Sequence, residues 1–165
     1  MTTRNHRGIR WHLFLVAMVI LAGACGSDDG DSGAPEIVEG RTMCDECGML
    51  IDDVRFAASY RTPDGQERRF DDIGGMLTQG QRNGLLETAE IWVHDYESGE
   101  PLAVAEATFV ISDDIMTPMG WGILAFHSAD EAHRQADTHG TSVLSWSDLL
   151  HAVAEGELVL PGLHE

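Results

Sequence analysis

The chain has 165 residues, with 28 Asp and Glu against 10 basic residues, all arginine, for a formal net charge of −18; 43% of it is hydrophobic. That length and apolar content suit one compact domain or two very small ones. So acidic a surface repels phosphate backbones, which excludes nucleic acid as a partner.

The first ten residues carry Arg4, Arg7 and Arg10 and no acid, and they run into the apolar stretch Leu13 to Ala24. Twelve residues fall well short of the roughly 20 that span a bilayer, so residues 1–24 read as a secretory signal peptide. The small residues Ala22, Gly23 and Ala24 before Cys25 resemble a bacterial lipobox, with Cys25 as the lipidated first residue of the mature chain. Two or more acyl chains there would anchor the protein firmly. Loss of the leader leaves seven arginines against 28 acids, a formal charge of −21. Residues 25–40 are polar, acidic and glycine-rich and read as a flexible tether, so the folded part is expected over residues 41–160.

Within that part, the alternation of Phe56, Ala58 and Tyr60, the turn Pro63-Asp64-Gly65-Gln66 and the return to Phe70 spell a hairpin. Asp71 or Asp72 then caps a short helix with Ile73, Met76 and Leu77 on one face. A second strand pair is expected over Glu90–Tyr96 and Leu102–Val110, and a further apolar strand after Pro118-Met119. Ser128 and Glu131 form a capping box for a helix that closes near Gly140. A last short strand and a helix capped by Ser147 complete the chain. Strand, strand, helix thus occurs early and late, which predicts an α+β protein of two packed ββα-type units, about residues 41–98 and 99–160.

Cys44 and Cys47 form a C-x-x-C pair flanked by Met43 and Met49. Three chemistries use such a pair. Structural zinc takes four Cys or His ligands; no second C-x-x-C or H-x-x-x-H completes that set, leaving His94, His127, His133 and His139 as contributors. A redox dithiol, with Cys44 as nucleophile and Cys47 resolving, normally opens a helix after a buried strand, whereas Cys47 is followed by a strand. A clamp for a soft ion such as Cu(I) uses thioether as well as thiolate sulfur. Met119 could approach the Cys44–Met49 loop if the two units face one another, and His127 follows the third apolar strand. A plain structural disulfide between Cys44 and Cys47 is a further reading.

The blocks Met-Cys-Asp-Glu-Cys-Gly-Met (43–49), Phe-Asp-Asp-Ile-Gly-Gly-Met-Leu (70–77), Trp-Val-His-Asp-Tyr (92–96), Thr-Pro-Met-Gly-Trp-Gly-Ile-Leu-Ala-Phe (117–126) and the closing Gly140–Leu150, in this order and after a lipobox, resemble the NosL family of nitrous oxide reductase accessory lipoproteins. The resemblance covers nearly all of the mature chain. It implies a monomeric, extracytoplasmic copper chaperone without catalytic turnover, tethered to the membrane through Cys25, that binds Cu(I) for the copper-sulfide centre of nitrous oxide reductase. The implied docking partner is the NosDFY transporter complex. Carried over onto this chain, the ligand candidates are Cys44, Cys47, Met49 and Met119, with His127 as a further contact. Gly75 stands where many family members carry a cysteine, and Asp71 and Asp72 suit a helix cap better than a soft ion. The alternative function is an extracytoplasmic thiol-disulfide oxidoreductase.

Overall fold

A hairpin followed by a helix and a strand that returns to the hairpin's first strand is the construction used twice in this chain. The computed structural model describes residues 33–156 and residue 158. The expected signal peptide, the lipidation site Cys25 and the tether as far as residue 32 lie outside the described residues.

In the first unit, β1 (Ala58–Arg61) pairs antiparallel with β2 (Glu67–Phe70), α1 (Ile73–Arg82) follows, and β3 (Glu90–His94) comes back to the free edge of β1. A short β4 (Pro101–Ala103) adds to β3, giving the order β2-β1-β3-β4. In the second unit, β5 (Thr108–Ile111) pairs with β6 (Ile123–Phe126), α2 (Ala129–His139) follows, and β7 (Val143–Leu144) returns to β5, giving β6-β5-β7. The terminal helix is α3 (Trp146–Ala154). The class is α+β, with two small ββα-type units as the alternation of elements predicts.

The second sheet is buried on both faces. Phe109, Ile123 and Ala125 belong to the main core with the first sheet, α1 and α3, while Val110, Leu124 and Phe126 alternate to the other side and meet Ala132 and Ala136 of α2. This is why Ile123–Phe126 is an unbroken apolar run with all four residues buried.

Four details differ from the sequence reading. The strand expected over Leu102–Val110 is two strands in different sheets, because a 3-10 turn at Val104–Glu106 carries the chain across; Val104 and Ala107, three apart, are both buried. The last helix is capped by Ser145 rather than Ser147, through a reciprocal box with Asp148. The expected tether reaches too far: residues 34–40 are bound into the fold. Pro35 is buried, Ile37 packs on the main core, and Gly40 donates to the Ile51 carbonyl at 2.8 Å. Ser128 caps α2 as expected, but only half the box forms, since Glu131 turns to Arg134.

Candidate metal centre

Residues 42–51 form a narrow two-stranded ribbon. Met43 and Leu50 are bridged antiparallel, the Ile51 N–H donates to the Thr42 carbonyl at 2.9 Å and the Cys44 N–H to the Met49 carbonyl at 2.8 Å. Its tip carries the C-x-x-C turn and is tied down on two sides. The Asp45 N–H donates to the Arg69 carbonyl and the Arg69 N–H to Asp45 Oδ2, both at 2.7 Å, docking the tip on β2. Arg82 of α1 pairs with Glu46 at 2.6 Å, and Gln79 Nε2 donates to the Asp45 carbonyl at 3.2 Å.

This anchoring sets the two thiols in unlike surroundings. Cys44 is 2% exposed, whereas Cys47 faces solvent; both are free thiols. The Cys47 N–H points at Cys44 Sγ (3.4 Å), and the Cys47 thiol donates to Asp71 Oδ2 (3.4 Å). Cys44, Cys47 and Asp71 offer ligand atoms all within 4.8 Å of one another. Burial pushes the Cys44 thiol up to about 12, with N–H groups of Cys47 and Asp71 pulling the other way. Cys44 therefore holds its proton at neutral pH, and an incoming metal must displace it. Asp71 is buried, and its Oδ1 has no hydrogen-bond partner among the described residues.

The next residue serves the opposite side. Asp72 caps α1, its Oδ1 accepting from the Gly74 N–H at 2.9 Å. Its Oδ2 accepts from the Thr117 hydroxyl at 2.5 Å and the Met119 N–H at 2.9 Å. The Thr117 oxygen in turn accepts from the Trp121 and Gly122 N–H groups at 3.0 and 3.2 Å, closing the 117–122 loop. Burial pushes the Asp72 carboxyl upward, opposed by these hydrogen bonds. Two glycines let the loop lie flat on the helix. A Cβ on Gly74 would stand 2.0 Å from Trp121 Cγ, and one on Gly75 would stand 2.9 Å from Met119 Sδ and 3.9 Å from Glu46 Cβ. The Met119 thioether thus lies beside the C-x-x-C turn, contributed by the other sheet's unit.

The arrangement is two thiols, a carboxylate with a free oxygen and an adjacent thioether, at the junction of two ββα units. A model of the NosL family matches residues 35–154. The chain belongs to the NosL family. Among solved structures it is similar to the crystal structure of the copper chaperone NosL from Shewanella denitrificans, with a TM-score of 0.61 and 17% identity over 69% of this chain and 93% of that one. No curated protein matches.

In this NosL chain the candidates from the sequence separate into groups. Cys44 and Cys47 meet, and Met119 is brought to their loop. Met49 stands opposite Cys44 across the ribbon and is 56% exposed, and Met43 is exposed as well. His127 is not brought in. Its N–H donates to Asp95 Oδ1 at 2.8 Å, at the far end of β6 from the Thr117–Gly122 loop. Five extended residues from Gly122 correspond to about 16 Å. Cys44 as the attacking thiol of an oxidoreductase fits poorly with its burial and raised pKa, since the thiolate is the nucleophile. Asp71, which by sequence suits a helix cap, stands instead with the two thiols, the three ligand atoms lying within 4.8 Å of one another. Its signal was the doubled acid: a helix cap needs one carboxylate, and Asp72 supplies it.

Proposed function

We propose that this NosL chain is an extracytoplasmic Cu(I) metallochaperone, lipid-anchored through Cys25, that carries copper for assembly of the nitrous oxide reductase copper-sulfide centre and docks on the NosDFY transporter complex as a monomer. The observation that supports the copper reading is the closeness of Cys44 and Cys47, with the Met119 sulfur of the other unit packed at Gly75 beside Glu46 of their turn. Thiolate and thioether sulfur together favour Cu(I) over harder ions. Cys44 and Cys47 hold the ion, Met119 completes the sulfur set, and Met49 at the exposed rim is the contact that an acceptor meets first. His127 is outside this set. The excess of acids over arginines draws cations toward the surface. Few ligands and an exposed Cys47 suit a carrier, which must release its cargo.

The test is an anaerobic Cu(I) titration of the reduced full-length chain in competition with a chromophoric Cu(I) chelator, beside a Cys44→Ser, Cys47→Ser double variant. Binding near one ion per chain that the double variant loses is expected. A wild type that never competes, or a double variant that competes equally well, would rule the carrier out. Delivery is read separately, by copper transfer to copper-free nitrous oxide reductase.

A further inference from the structure

The carboxylate of Asp72 does two jobs, and only one of them is a helix cap. Capping α1 uses Oδ1 alone, and serine, threonine or asparagine would do it as well. The second oxygen is spent on the other unit, where Thr117 Oγ1 and the Met119 N–H converge on it. Both donors point at one acceptor, so a hydroxyl cap is too short of acceptors and an asparagine would present its NH2 to the Met119 N–H, donor against donor. The identity of the residue is therefore set by the loop it holds. The same loop is seated on bare backbone: the Trp121 ring lies on Gly74 and Met119 Sδ on Gly75, so that the sulfur sits beside the turn bearing Cys44 and Cys47.

We infer that Asp72, with the Gly74–Gly75 shelf, is a positioning device that holds the Met119 sulfur in register with the two thiols. The inference rests on the Cu(I) reading above and deepens it, assigning a residue that does not touch the ion to the geometry of the site. Asp72 thus ties the head of α1, where Asp71 meets the Cys47 thiol, to the loop that carries Met119. Groups that orient metal ligands typically change affinity by about 10- to 100-fold when removed.

Two variants test it on the full-length chain by the same chelator competition, each alone and combined with Met119→Leu. Asp72→Asn is expected to weaken Cu(I) binding about tenfold, as Met119→Leu does, and the double variant is expected to be no weaker than Met119→Leu alone. X-ray absorption at the copper edge should show the same loss of sulfur scattering in both single variants. Gly75→Ala guards against a folding defect: it adds a methyl at 2.9 Å from Met119 Sδ within a helix that alanine favours. It should bind Cu(I) more weakly than wild type with an unfolding midpoint no lower, and add nothing in the Met119→Leu background. Wild-type affinity in Asp72→Asn or Gly75→Ala, or the same fold loss with and without Met119, would overturn the inference while leaving cysteine-dependent binding intact. Failure of the cysteine double variant to lose binding would overturn the Cu(I) reading, and this inference with it.

Discussion

Adjacent glycines in α1 should respond in opposite ways to the same methyl group. At Gly74 an alanine Cβ would lie 2.0, 2.3 and 2.5 Å from three atoms of the Trp121 ring, against an ordinary carbon contact of about 3.5 Å. The ring would have to withdraw by about 1.5 Å. The backbones cannot separate to make room, because the Trp121 backbone N–H is bound to Thr117 and the Gly74 N–H to Asp72. Overpacking of this kind costs about 1–3 kcal/mol, and the rigidity of both partners argues for the upper end. Alanine returns about 1 kcal/mol of helix propensity, so Gly74→Ala should lose about 2 kcal/mol net. At Gly75 the neighbour is the end of a flexible methionine at 2.9 Å, which can swing away. Gly75→Ala should therefore be neutral or more stable by up to about 1 kcal/mol. Urea unfolding followed by far-UV circular dichroism separates the two: with an m-value of about 2 kcal/mol/M, Gly74→Ala should shift the midpoint down by about 1 M. A Gly74→Ala midpoint equal to the wild type would refute the packing argument.

Cys47 should be alkylated at neutral pH while Cys44 resists, and in a Cys47→Ser variant the Cys44 rate should rise about tenfold per pH unit up to its raised pKa of about 12; comparable peptide labelling at pH 8 would contradict the burial account. His94 is buried with Nδ1 at 3.2 Å from the Ala57 carbonyl, and burial lowers its pKa below 6.5. The unfolded chain thus binds the extra proton, so stability should be constant above pH 6.5 and fall as pH drops toward the folded pKa, by about 1.4 kcal/mol per unit at most; urea midpoints of wild type and His94→Gln between pH 5 and 8 should show the difference vanish in the variant. Ser145→Ala should cost about 1 kcal/mol through loss of the capping box, whereas Ser147→Ala should be nearly silent, as thermal melts of the two would show.

What the sequence discloses follows the range of the interactions. Asp72 and Ser128 are legible as caps because a cap is a local bond between near neighbours. Ser145 is legible too, by its acid three residues on, but Ser147 stands closer to the apolar pair Leu149 and Leu150 and competes with it as a cap in the sequence. The passage of the chain between sheets at Val104–Glu106 was not, since Leu102 to Val110 carries strand-forming residues throughout and only the packing of Val104 and Ala107 breaks the run. The end of the tether is hidden in the sequence for a similar reason: Pro35 and Ile37 are single apolar residues in an acidic stretch, and their burial depends on a surface formed by distant residues. Of the site, the thiol pair was visible as a motif, and Met119 through the order of the family's blocks. Asp71 was hidden because its partner Cys47 reaches it only when Asp45 and Arg69 dock the ribbon on β2.

The paired acids at the head of α1 also impose an order in time. Met119 follows Cys47 by 72 residues, so a chain emerging from its N-terminus presents both thiols and both acids long before the thioether is made. Until residues 117–122 arrive, Oδ2 of Asp72 lacks both of its partners from that loop and Gly75 faces no sulfur. The thiol pair and the Met119 sulfur therefore come together only once both halves of the domain have been made and have folded.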